Sequence, residues 1–141
     1  MVGYSGTPLA KKLGFKSGTR ISLARLPDQV RAELQDALSE CLTEGQKSFD
    51  LILLFAKTSG ELQEQFPQFA ARLDSSGGLW VAWPKKKSGV RTDLDENRVR
   101  AIGLQNGLVD VKVCAISEIW SGLKFVIRVR DRLKHGSNSK T

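Results

Sequence analysis

Polar and apolar positions along the chain predict alternating strands and helices. RISLARL, from Arg20 to Leu26, alternates apolar with polar residues and stops at Pro27, which predicts a first strand. Val30, Leu34, Leu38, Cys41 and Leu42 then recur at helical spacing, so a helix capped by Asp28 and running to about Leu42 follows. FDLILLF, Phe49 to Phe55, is short and continuously apolar after Asp50, as a central strand covered on both faces requires. Thr58 with Glu61 forms a capping box opening a helix whose Leu62, Phe66, Phe69, Ala70 and Leu73 point inward and which Pro67 should kink or split.

Gly77 and Gly78 predict a turn into LWVAW, Leu79 to Trp83, a buried strand ended by Pro84. Past the polar loop KKKSGVRT, Thr92 or Asp93 caps a helix to about Gln105, stopped by Asn106 and Gly107. Two last strands, 108–116 and 123–130, are joined by SEIWSG, a connection so short that they must be antiparallel neighbours. Near the N-terminus Thr7, Pro8 and Gly14 bracket LAKKL as N-cap, first helical residue and C-cap of a short helix.

This order predicts an α/β fold, a three-layer Rossmann-like sandwich with a mostly parallel sheet and a C-terminal antiparallel strand pair. Right-handed crossovers are expected to make the first strands parallel, with helices on both faces and the terminal strand reversed at or near an edge. Residues 1–133 form a single domain, and 134–141 are too polar to pack and read as a disordered tail. At 141 residues, 40% of them hydrophobic, the chain is long enough for one core without disulfides or metal. No apolar run suits a membrane span or a secretory signal, so a cytoplasmic protein is the expectation.

Cys41 and Cys114 lack the spacing of a disulfide framework or a zinc site, and the single histidine, His135, lies in a polar tail. Ser-His-Asp and Cys-His catalysis and multi-histidine metal sites are thereby set aside. Net charge is +7 and sits at the two ends of the chain: the first twenty residues hold Lys11, Lys12, Lys16 and Arg20 with no acid, whereas 21–75 hold more acids than bases. Clustered bases of this kind attract nucleic acid or another polyanion, and they also serve solubility alone.

In an open parallel sheet ligands bind where the loops leave the C-terminal strand ends. Lys57, Trp83, Lys85, Lys86 and Lys87 are expected there, an indole and four ammonium groups suited to an anionic small molecule. The plainer alternative makes Trp83 a core residue and the lysine run a solvated loop. Trp120 beside Lys124 suits stacking on a ring ligand, or else covers the sheet edge. The chain has no G-x-x-x-x-G-K-[ST] loop, and Ala24, Arg25, Leu26, Pro27 and Asp28 follow the first strand without the glycines a dinucleotide or S-adenosylmethionine turn uses. Glu118 and Asp110 are candidate carboxylates, more simply read as caps or salt-bridge partners; Tyr4 and Ser5 form a hydroxyl patch with no required role. The residues dictate no metal and no particular cofactor.

YSGTPLAKKLGF (4–15), LWVAWPKKKSGVRTDL (79–94) and GLVDVKVCAISEIWSGLKFV (107–126) together resemble DUF3052, a family of small bacterial proteins of unknown function best represented in actinobacteria. That resemblance implies no activity, substrate or catalytic residue. In element order alone the chain is similar to a truncated class I methyltransferase, without that group's glycine turn or its acidic-proline-proline-aromatic block after the strand ending at Phe55. Three roles follow: a non-catalytic binding or regulatory domain for an anionic, nucleotide-like small molecule; a diverged S-adenosylmethionine-dependent methyltransferase-like enzyme; and a nucleic-acid-associated protein.

Overall fold

A computed structural model describes residues 8–133; Tyr4, Ser5, Thr7, His135 and the tail from 134 lie outside the described residues. Five strands, β1 (Ile21–Ala24), β2 (Phe49–Phe55), β3 (Leu73–Pro84), β4 (Leu108–Ala115) and β5 (Trp120–Ile127), form one sheet in the order β1-β2-β3-β5-β4. β1, β2 and β3 pair in parallel, and β5 runs antiparallel to both β3 and β4. The reversed terminal strand therefore lies one place in from the edge, inserted between β3 and β4. Helices α1 (Leu9–Leu13), α2 (Asp28–Leu38), α3 (Ser59–Ala70) and α4 (Glu96–Gln105) complete the three layers. Among the described residues no helix is long and apolar enough to cross a membrane.

Strand pleating divides the core in two. Leu51, Leu53 and Phe55 of β2, with Trp80 and Ala82 of β3, face α1 and α2 through Leu9, Leu13, Val30 and Leu34. Ile52 and Leu54, with Leu79, Val81 and Trp83, face α3 and α4 through Leu62, Phe66, Val99 and Ile102. The continuously apolar FDLILLF is thus a strand buried on both sides. On the first face the buried Trp80 indole donates to the Leu13 carbonyl at 2.9 Å, fastening the end of α1 to the sheet.

Helices do cover both faces, but uniformly right-handed crossovers do not produce them. β1 to β2 and β2 to β3 step one place in the same direction, the first through α2 on one face and the second through α3 on the other. Equal steps through opposite faces have opposite hands, so one crossover is left-handed, against a strong general preference. The chain leaving α2 also pairs with the sheet: Leu42 forms a parallel bridge with Arg20 at the start of β1, so α2 ends at Leu38, four residues short of the sequence estimate.

Other local expectations change for identifiable reasons. Pro8 and Pro27 occupy the N-cap positions of α1 and α2, and Asp28 is the first residue of α2. Pro67 neither splits nor ends α3, because it stands exposed in the last turn, where the carbonyl it leaves unpaired is open to water. Gly77 and Gly78 are buried within β3, which already begins at Leu73. A β-carbon on Gly77 would stand 2.8 Å from the Asp50 carbonyl oxygen, so this glycine serves a close strand approach and not a turn. α4 is capped by Asp95, whose carboxylate accepts from the Arg98 amide at 2.8 Å. β5 begins at Trp120, ahead of the expected Leu123.

Gly103 of α4 lies against the Phe125 ring, with its added β-carbon 2.0 Å from Cε1, and that ring packs edge-on against Phe66 at 5.4 Å. Gly103→Ala should therefore destabilise the protein by about 1–3 kcal/mol through overpacking, despite the roughly 1 kcal/mol gain in helix propensity. Urea unfolding of the two proteins measures the difference.

Candidate functional site

The C-terminal ends of β1 and β2 enclose a crevice of about 340 Å³ lined by Arg25, Pro27, Phe55, Ala56, Lys57, Glu61 and Trp120. Its apolar wall is a ring pair: Phe55 meets Trp120 edge-to-face with centroids 5.1 Å apart. Register explains the meeting, because Trp120 pairs with Pro84 at the end of β3, beside the end of β2.

Charged residues line the same crevice. Thr58 caps α3 by accepting from the Glu61 amide at 3.1 Å, as the capping box requires. Glu61 returns the contact one residue earlier than expected, accepting from the Lys57 amide at 2.9 Å. Its second oxygen takes the Arg25 guanidinium at 2.6 Å, so one carboxylate joins the loops after β1 and β2. The Gln65 amide, oriented to satisfy both its atoms, accepts from Arg25 Nε and Nη2. The Lys57 amide, and after it the Arg25 and Lys57 charges, hold the Glu61 carboxyl below its ordinary pKa despite opposing desolvation. Arg25 reaches this position from a left-handed backbone, φ 60°, a conformation that costs a non-glycine residue energy and that clusters at binding sites.

Next along the rim, Lys85 begins the turn after β3, and its amide donates to the Ile119 carbonyl at 2.7 Å. Lys86 and Lys87 follow, exposed, in a single 3-10 turn. The loop beyond is tied back across the rim: Thr92 donates to the Lys57 carbonyl at 2.6 Å, and Asp93 accepts from the Ser59 amide and hydroxyl. Asp93 and Thr92, expected to cap α4, thus brace the start of α3. Among the described residues no ammonium group of Lys57, Lys85, Lys86 or Lys87 makes a hydrogen bond or salt bridge.

The seven residues singled out from sequence fall in four places. Lys57 and Trp120 meet in the crevice. Lys85, Lys86 and Lys87 share its strand-end rim but do not line it. Trp83 is 5% exposed and packs under α3 and α4, on the opposite face from Trp120, and Lys124 borders a different hollow near the other end of the strands. Asp110 and Glu118 do not converge: Asp110 is paired with Arg100 at 3.0 Å near the start of β4, and Glu118 is exposed in the turn after it. Arg25 and the place of Glu61 in the crevice lining were missed. The available signal was a charged residue at the end of the first strand, two positions before a proline.

A family model described as "Protein of unknown function (DUF3052)" matches residues 10–129. No curated protein sequence matches the chain. Among solved structures, magnesium protoporphyrin IX methyltransferase from Synechocystis PCC 6803 with bound SAH is similar, with TM-score 0.57, 13% identity, and coverage of 85% of this chain and 78% of that one. An S-adenosylmethionine-dependent methyltransferase from Clostridium acetobutylicum gives 0.56 at 11% identity, covering 84% and 87%. A putative type 11 methyltransferase from Sulfolobus solfataricus gives 0.55 at 12%, covering 86% and 90%. At such identities the likeness establishes the fold, a truncated Rossmann-like methyltransferase architecture, and not an activity.

Glu61→Gln retains an acceptor for the Lys57 amide and loses the ion pair, so at neutral pH it should cost about 0.5–1 kcal/mol. A carboxyl whose folded pKa is depressed stabilises fully above its unfolded pKa of about 4.3, and that contribution disappears as pH falls through the folded value. Urea unfolding at neutral pH and at about pH 3 should show the gap between wild type and variant closing in acid.

Proposed function

The chain belongs to the DUF3052 family, of unknown function, and we propose from the strand-end geometry that it is a non-catalytic binding or regulatory domain for an anionic, ring-bearing small molecule of nucleotide-like chemistry. The observation that carries this reading is the crevice, which an aromatic pair, Phe55 and Trp120, lines together with Arg25 and Lys57, whose ammonium is unpaired among the described residues. A volume of about 340 Å³ is at the small end of ligand sites. The apolar wall accepts a planar ring, Lys57 accepts the anion, and Lys85, Lys86 and Lys87 extend the positive field along the rim. Arg25 joins them when it exchanges Glu61 for the ligand.

S-adenosylmethionine, the ligand of similar folds, does not suit the residues present. Ala24, Arg25 and Leu26 carry β-carbons where a close backbone approach calls for glycines, and the Arg25 guanidinium is drawn across the crevice to Glu61. Catalytic methyl transfer therefore rests on the fold alone, and it is the second reading.

Thermal-shift and calorimetric titration with nucleoside mono- and diphosphates tests the proposal. A ligand at a hundred times its dissociation constant should add about 2.7 kcal/mol of stability. Lys57→Ala should weaken binding by about 1.5–3 kcal/mol, the value of one charge-assisted contact. Equal affinity in Lys57→Ala and in a Lys85, Lys86, Lys87 triple alanine variant would remove the site assignment. Stabilisation by S-adenosylmethionine and by no nucleotide would transfer the reading to the methyltransferase-like alternative.

A further inference from the structure

A second hollow, of about 500 Å³, opens between the α1–β1 loop and the starts of β2 and β3, away from the strand-end crevice. Leu13, Leu51 and Val126 contribute apolar wall; Lys16, Ser17, Thr19, Asp50 and Lys124 contribute polar groups. Lys124 is the unusual member. It stands half-buried on the sheet face that α1 covers, directly opposite the buried Trp80 in register. Its stem lies across Gly78 so closely that a β-carbon there would be 2.4 Å from Cε. That glycine leaves room for the lysine to extend into the hollow.

Once there, the ammonium finds no protein partner. Among the described residues Lys124 makes no side-chain hydrogen bond or salt bridge, although Asp50 borders the same space. Asp50 is committed elsewhere: it accepts from the Arg20 amide at 2.9 Å, from Nε at 3.1 Å and from Nη2, while Asp74 holds the same guanidinium at 3.4 Å. The cross-strand neighbour of Lys124 is another cation, Lys112, whose ammonium donates to the Lys12 carbonyl. Burial first, and Lys112 second, hold the Lys124 pKa below the ordinary lysine value, as expected for an ammonium lacking a counter-charge. Lys16 enters from the loop with its ammonium likewise unpaired, and the Ser17 hydroxyl makes no hydrogen bond among the described residues.

We propose that this hollow binds a phosphorylated small molecule, its phosphate held between Lys124 and Lys16 and its organic body against Leu13, Leu51 and Val126. Two ammonium groups and a free hydroxyl match a dianion with three acceptor oxygens, whereas a monocarboxylate leaves one ammonium without a counter-charge. The hollow exceeds the size of phosphate itself, which leaves space for that organic body. This site is independent of the strand-end crevice, since none of its lining residues is shared with it.

The test is an NMR titration of the full chain with inorganic phosphate, and separately with acetate, reading backbone amides. Phosphate should give saturable shifts confined to residues 16–19, 77–78 and 124. Lys124→Met, which keeps the stem over Gly78, should weaken that binding at least about tenfold, and Lys57→Ala should leave it unchanged. Lys16→Gln, on an exposed loop, provides a second reading independent of how well the Lys124 variant folds, and should weaken binding several-fold. The proposal is overturned by shifts spread evenly over the basic surface, by unchanged phosphate affinity in both lysine variants, or by acetate binding as tightly as phosphate.

Discussion

Three strands placed side by side in chain order, with helices on both faces, commit this molecule to crossovers of opposite hand, and the crevice follows from that constraint. In the usual doubly wound sheet, neighbouring loops diverge to opposite faces only where the strand order reverses, and the gap between them receives the ligand. Here the order does not reverse. The loop after β1 nevertheless leads to α2 on one face, while the loop after β2 leads to α3 on the other. The gap therefore opens between Arg25 and Lys57, and the Arg25–Glu61 pair spans it.

Much of the architecture was legible in the residues. The apolar run from Phe49 to Phe55, the Thr58 cap and the short SEIWSG link each admit essentially one structural reading, because burial, hydrogen-bond satisfaction and chain length act locally. Crossover hand was not legible. It depends on which neighbour a strand selects and which face a helix takes, and both are settled by packing between segments distant in sequence. Gly77 and Gly78 illustrate the same limit: their neighbours are the Asp50 carbonyl and the Lys124 stem, which no local pattern reveals.

The candidate site was legible only in part, for a related reason. Trp120 and Lys124 are close in sequence, yet four residue steps along the strand carry them about 13 Å apart, enough to place them in different hollows. Trp83 and Trp120 lie near each other across the β3–β5 pair and still face opposite layers, since alternate strand residues point to opposite sides. Adjacency in a motif thus reveals neither which layer an indole faces nor which end of the sheet a side chain reaches. Arg25 escaped notice because its position depends on a left-handed backbone that its residue type does not advertise.

All three tryptophans are at most 7% exposed: Trp80 and Trp120 sit in the layer beneath α1 and α2, and Trp83 in the layer beneath α3 and α4. Intrinsic fluorescence consequently samples both halves of the interior in a single emission spectrum. The Trp80 indole, already hydrogen-bonded to the Leu13 carbonyl, adds a local sensor: release of α1 exchanges that carbonyl for water and shifts its emission to the red while the other layer stays dark to the event.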